Sequence, residues 1–180
     1  MNVCVFCGSS AGKDAVYANS AREVGELLGR AGHTLVYGGG NVGLMGIVAD
    51  ATLNAGGKVV GVIPDFLMKR EVGHRGLTEL IEVRSMHERK KKMADLTDAF
   101  IALPGGWGTL DELAEILTWR QLGLINQPIG LLNIHSFFSP LISQMETMLE
   151  NGFIAVENKR LLTVENSPAK LLTALGVVTV

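Results

Sequence analysis

Short apolar runs alternate along this chain with longer stretches whose apolar residues recur every three or four positions. The pattern predicts strands at 2–7, 33–37, 58–63, 79–84, 98–103 and 128–133. Between and after them it predicts helices at 14–30, 43–55, 86–96, 109–122 and 136–151, with a last one near 167–175. Runs such as Val59-Val60-Gly61-Val62-Ile63 are apolar on both faces, which suits a parallel sheet covered on both sides. Repeated strand–helix units then imply an α/β fold, a Rossmann-like doubly wound parallel sheet with helices on both faces. One domain over residues 1–180 is expected, with no internal repeat, linker or low-complexity segment. The longest connection, Pro64 to Thr78, is of the kind that often carries function.

Composition narrows the possible partners. The formal net charge is −2 and no basic stripe occurs, so broad electrostatic binding to nucleic acid or to an anionic membrane is not expected. No apolar run approaches the roughly 20 residues that span a bilayer. Met1 leads directly into the strand pattern Val3-Cys4-Val5-Phe6 without a charged, cleavable leader, so a cytoplasmic protein is expected. Cys4 and Cys7 are spaced C-x-x-C but fall within a strand, where positions three apart face opposite ways; ordinary buried thiols are expected. His33, His74, His87 and His135 show no ligand spacing, so no metal site is expected.

The 22 glycines are concentrated where chemistry is expected. Gly8-Ser9-Ser10, Gly38-Gly39-Gly40-Asn41-Val42-Gly43 and Pro104-Gly105-Gly106-Trp107-Gly108-Thr109 each follow a strand and precede a helix. Such turns let backbone amides approach a phosphate at the positive end of a helix. Gly38, Gly40 and Gly43 also match G-x-G-x-x-G, with Asp65 after the next strand, which is the pattern of a dinucleotide site. The match sits on the second strand rather than the first, and a tight turn with close helix packing explains it equally well.

Two helices carry charges that need an explanation. Thr109 with Glu112 reads as a capping box, or as a carboxylate held at the mouth of a phosphate-binding turn. Leu110, Leu113 and Leu117 share one face, with Glu112 nearly opposite. In the preceding helix Met86, Met93 and Leu96 form an apolar stripe that includes Arg89 and Lys90, whereas Glu88, Lys91 and Lys92 fall outside it. An inward guanidinium requires partners, either a structural carboxylate such as Glu71 or Glu112 or an anionic ligand.

Taken together, these segments resemble the LOG (Lonely Guy) family. Pro104-Gly105-Gly106-Trp107-Gly108-Thr109-Leu110-Asp111-Glu112 matches its P-G-G-x-G-T-x-x-E motif, and Met86-His87-Glu88-Arg89-Lys90-Lys91-Lys92-Met93 its companion M-H-x-R-K-x-x-M. Val5 to Ser10 and Val36 to Gly46, which includes Met45, are similar as well. The resemblance covers essentially the whole chain. It implies a cytokinin riboside 5′-monophosphate phosphoribohydrolase, an N-glycosidase that converts an N6-modified AMP, and often AMP itself, into free base and ribose 5-phosphate. It further implies Arg89 and Glu112 as the catalytic pair, with substrate contacts at Glu71, Lys90, Gly106 to Glu112 and Thr118, no cofactor, and a homodimer. Trp107 and Asp111 stand where the family more often has Tyr and Glu, and the loop Glu71 to Gly76 departs from its pattern. The added candidates from the glycine loops are Gly8, Ser9, Gly38, Gly39, Gly40 and Gly105. Family members have been labelled lysine decarboxylases, but nothing here suggests a pyridoxal-phosphate site. The rival readings are a non-catalytic nucleotide-binding or carrier module of the same fold and a nicotinamide-dependent oxidoreductase.

Overall fold

The computed structural model describes residues 1–68 and 73–179. Seven strands form one sheet: β1 (Asn2–Phe6), β2 (Thr34–Tyr37), β3 (Lys58–Pro64), β4 (Glu79–Val83), β5 (Ala99–Ala102), β6 (Ile129–Leu132) and β7 (Leu162–Glu165). Their order is β4-β3-β2-β1-β5-β6-β7, and every neighbouring pair is parallel. The chain therefore winds outward from β1 in one direction, returns to β5 beside β1, and winds outward in the other. A crevice opens at the carboxyl ends of the two strands where the winding reverses. Across it Gly8 N–H donates to Pro104 O at 3.1 Å, so the first and third glycine loops meet there.

Among the described residues six α-helices connect the strands, α1 (Ala15–Arg30), α2 (Gly43–Asn54), α3 (Asp65–Met68), α4 (Met86–Asp95), α5 (Trp107–Gln121) and α6 (Ser139–Glu150), and α7 (Pro168–Ala174) follows the last strand. Strand side chains alternate between two cores. Val3, Val5 and Cys7 pack with Val24 and Leu28 of α1, Val48 of α2 and Leu171 of α7. Cys4 and Phe6 pack on the opposite face with Met93 of α4 and Leu113 and Ile116 of α5. The two thiols do face opposite sides of the sheet, and both are buried and unpaired. No helix among the described residues is long and apolar enough to cross a membrane.

Several expectations needed correction. The strand β7 has no counterpart in the hydrophobic pattern, because Leu162-Thr163-Val164-Glu165 is a short, half-exposed edge strand. The sixth helix starts at Ser139 rather than 136, since His135 and Ser136 adopt positive φ (48° and 59°) and Pro140 fits the first helical turn.

The most consequential correction concerns α5, which starts at Trp107 with Gly106 as its cap and no side-chain capping bond. Thr109 and Glu112 therefore form no capping box; a related arrangement occurs at α4, where the N-cap Ser85 Oγ accepts from Glu88 N–H at 3.1 Å, and Glu88 Oε2 accepts from N–H of Arg84, the residue before the cap, at 2.9 Å. The inward face of α5 is Thr109, Leu113 and Ile116. On that face Glu112 lies beside Ile116 and not opposite the core.

Candidate active site

The carboxyl ends of β1 and β2 and the first turns of α2, α4 and α5 enclose a cavity of about 160 Å3. Arg89 of α4 and Glu112 of α5 both line it, together with Gly8, Ser9, Gly38 and Met45. The first turn of α5 supplies Gly106, Trp107, Gly108 and Thr109. These backbone amides precede any intrahelical acceptor, so the positive end of α5 faces the cavity.

Arg89 is only 5% exposed. Its Nε donates to Val62 O at 3.0 Å and its Nη2 to Gly38 O at 2.7 Å, so the guanidinium bridges the end of β3 and the loop after β2. These two bonds fix the plane of the fork, which a flexible ammonium could not match. Gly38 makes this placement possible, because a Cβ there would overlap Nη2 of Arg89. Its φ lies outside the left-handed region, so Gly38→Ala should fold and displace chiefly the end of the Arg89 side chain, with a small shift of Met45 Sδ. The expected result is at least a tenfold fall in kcat, the scale set by small misplacements of reacting groups. An unchanged kcat with unchanged thermal stability would show that Arg89 needs no such register.

Beyond Gly38, the second glycine loop lies away from the cavity lining. Gly43 has φ +58°, and a Cβ there would overlap the backbone of Ser9 and Ser10. Leu44 N–H donates to Gly8 O at 3.0 Å, so the start of α2 is packed against the first loop, and α5 carries the helix terminus that opens on the cavity. Gly39 and Gly40 are buried and do not line the cavity. Gly105 borders an adjoining hollow of about 280 Å3 with Tyr17 and Phe137.

Other sequence candidates lie outside the cavity lining. Lys90, with its side chain 12% exposed, reaches Asp111 at 3.1 Å and Glu115 at 3.2 Å and ties α4 to α5. Burial alone would lower its pKa, but its bonds to these carboxylates outweigh burial and hold the pKa above the usual lysine range. Leu110 packs against the core and Thr118 Oγ1 donates to Ala114 O at 2.7 Å. Glu71 lies outside the described residues. Val5, Cys7 and Met86 complete the lining and were not among the site residues proposed from the sequence. Met86 could have been, since it precedes Arg89 by one helical turn.

The thiol of Cys7 reaches the cavity but is unsuited to nucleophilic work. Burial, and then the negative charge of Glu112, raise its pKa far above the ordinary thiol value; Cys4 is raised for the same leading reasons. The folded state thus holds these protons while the unfolded chain releases them. Stability should fall as pH rises past the ordinary thiol value of about 8.5. Both thiols should resist iodoacetamide in native protein at that pH and react on unfolding. Fast labelling of native Cys7 would show an ionised, accessible thiol. Among the described residues no group of three or more His, Cys, Asp or Glu side chains converges as a metal site would require.

Comparison with known proteins adds independent information. Residues 45–175 match the family described as possible lysine decarboxylase. A probable cytokinin riboside 5′-monophosphate phosphoribohydrolase of Oryza sativa subsp. japonica is 47% identical over 173 residues, covering 96% of this chain and 71% of that protein. A cytokinin riboside 5′-monophosphate phosphoribohydrolase of Arabidopsis thaliana is 45% identical, covering 96% and 81%. Among solved structures, the molybdenum cofactor binding protein from Rippkaea orientalis superposes with TM-score 0.73 at 22% identity, covering 97% of this chain and 94% of that one. The molybdenum cofactor carrier protein from Chlamydomonas reinhardtii gives 0.71 at 20%, covering 97% and 95%. At such identities these two neighbours share the fold and carry no statement about ligand.

Proposed function

The chain belongs to the family of the cytokinin riboside 5′-monophosphate phosphoribohydrolases, and on that premise we propose how its cavity hydrolyses an adenosine 5′-monophosphate, with or without an N6 substituent, to free base and ribose 5-phosphate. One observation carries the reading: Arg89, Glu112 and the open first turn of α5 share one cavity at the switch point of the sheet.

The 5′-phosphate sits at the α5 terminus, where the amides of Trp107, Gly108 and Thr109 meet its negative charge. This places the ribose between that turn and Glu112. As the C1′–N bond lengthens, the ribose gains oxocarbenium character, which the Glu112 carboxylate stabilises while it orients a water toward C1′. The C1′–O bond forms and the C1′–N bond breaks. One water proton passes to Glu112, the departing base takes up a proton from solvent, and Glu112 returns its proton to solvent, so the carboxylate is regenerated. Arg89, held by two carbonyls, steadies Glu112 or the ribose without needing to move.

A homodimer is part of this reading. Trp107 at the cavity rim is 88% exposed, and Leu122, Leu124, Phe153 and Val156 are also exposed large apolar residues. α6 carries Leu141, Ile142, Met145, Met148 and Leu149 but has no fully buried residue. A second copy that covers α5 and α6 would bury these side chains and narrow the cavity mouth. Light scattering should give twice the chain mass at micromolar concentration, whereas a monomer mass would remove the dimer.

Incubation with AMP and with isopentenyladenosine monophosphate, followed by chromatography, tests the activity. Free base together with ribose 5-phosphate is expected, and the two rates rank the substrates. Saturable nucleotide binding without base release would instead indicate a binding module.

A further inference from the structure

Among the described residues His74 is the one buried histidine, 7% exposed, and the chemistry above makes no use of it. Both of its ring nitrogens are engaged. Nδ1 accepts from Gly76 N–H at 3.1 Å, and a backbone amide can only donate, so the ring proton resides on Nε2. Nε2 then donates to Asp50 Oδ1 at 2.9 Å, on the helix α2. The main chain beside this ring runs along the second glycine loop. His74 N–H donates to Gly39 O at 3.0 Å, and Gly73 forms an antiparallel bridge with Gly40. The residue before Gly39 is Gly38, whose carbonyl accepts from Arg89 Nη2.

A run of three glycines has no side chains with which to fix its own path, and its backbone loses more entropy on ordering than any other. Its position must come from outside. From within β2, Tyr37 Oη donates to Gly40 O at 3.1 Å. From the other side the run pairs with Gly73 and His74, a segment anchored to α2 through the His74 ring. We propose that His74, with Asp50 as its anchor, is a positioning residue for the hydrolysis: it clamps that segment against the glycine loop and so holds the Gly38 carbonyl where Arg89 takes its register. The inference rests on the role proposed for Arg89.

A clamp that served folding alone would change thermal stability and leave the turnover of folded protein intact. A clamp that positions Arg89 changes kcat. The test is kcat and KM for AMP in His74→Ala and Asp50→Ala, measured well below each variant's melting temperature. In both, kcat should fall by about tenfold or more, with KM within about threefold of wild type, as expected for a displaced catalytic group. The double variant should be no worse than the weaker single one, because both break one linkage. His74→Gln keeps a donor near the Nε2 position and Asp50→Asn keeps the acceptor oxygen, so both should recover most of the turnover. If His74→Ala does not fold, Asp50→Ala carries the test, since its half-exposed carboxylate leaves no buried gap. Turnover of folded His74→Ala or Asp50→Ala within about twofold of wild type would overturn the clamp, being far less than misplacement costs. Arg89→Ala is the reference in the same assay. An active Arg89→Ala would overturn the reading of the site itself, whereas an inactive one beside fully active clamp variants would overturn the clamp alone.

Discussion

Glu112→Gln should fold like the wild type and lose base release by about 10²–10⁴-fold in kcat, the usual contribution of a positioned acid–base group. The change is isosteric and falls on a half-buried side chain within α5, so folding has little reason to suffer. Because α5 begins at Trp107, no helix cap is lost, and a defect cannot be assigned to fraying of the first turn. The charge is what disappears. A neutral amide neither stabilises an oxocarbenium ion nor accepts the water proton. KM for AMP should change little, since the proposed phosphate contacts come from backbone amides. Wild-type turnover in Glu112→Gln would remove Glu112 from the mechanism and shift the search to Glu71.

Arg89→Ala should be costly in two separable ways. It leaves Val62 O and Gly38 O without their guanidinium donor and empties a buried site, which should destabilise the fold by about 2–4 kcal/mol. In the protein that still folds, kcat should fall by about 10²-fold or more, because the group that steadies Glu112 or the ribose is gone. Arg89→Lys should restore part of the stability and little of the turnover. An ammonium can reach one carbonyl, but it cannot span two and still present a planar face to the cavity. Denaturant unfolding beside steady-state kinetics separates the two effects. Full turnover in folded Arg89→Lys would show that charge suffices and that the fork geometry is dispensable.

The sequence was most informative where one physical signal stood alone. Apolar runs placed the six predicted strands to within a residue or two: five are buried along most of their length and admit few polar residues, and the half-exposed edge strand β4 still carries Leu80, Ile81 and Val83. The edge strand β7 was invisible, because a four-residue half-exposed strand is made by its neighbour β6 and not by its own pattern. On α4 the stripe of Met86 and Met93 was enough to turn Arg89 inward, as the structure shows. On α5 a similar reading erred. The face is set by Thr109 tucked beneath the glycine turn, and a threonine carries no apolar signal to mark it.

For the site, the chain determined by itself which residues could do chemistry: a carboxylate, a guanidinium and glycine turns at strand ends. Tertiary structure decided which of them meet. Arg89 and Glu112 reach one cavity because the winding reverses between β1 and β5, a relation between strands nearly 100 residues apart that local periodicity cannot express. It also turned Lys90 toward Asp111 and Glu115, and it engaged His74 with Asp50, 24 residues away. Side-chain type is local information. Which partner an ion or a ring nitrogen finds depends on the packing of whole elements against each other, and that is settled only when the sheet closes.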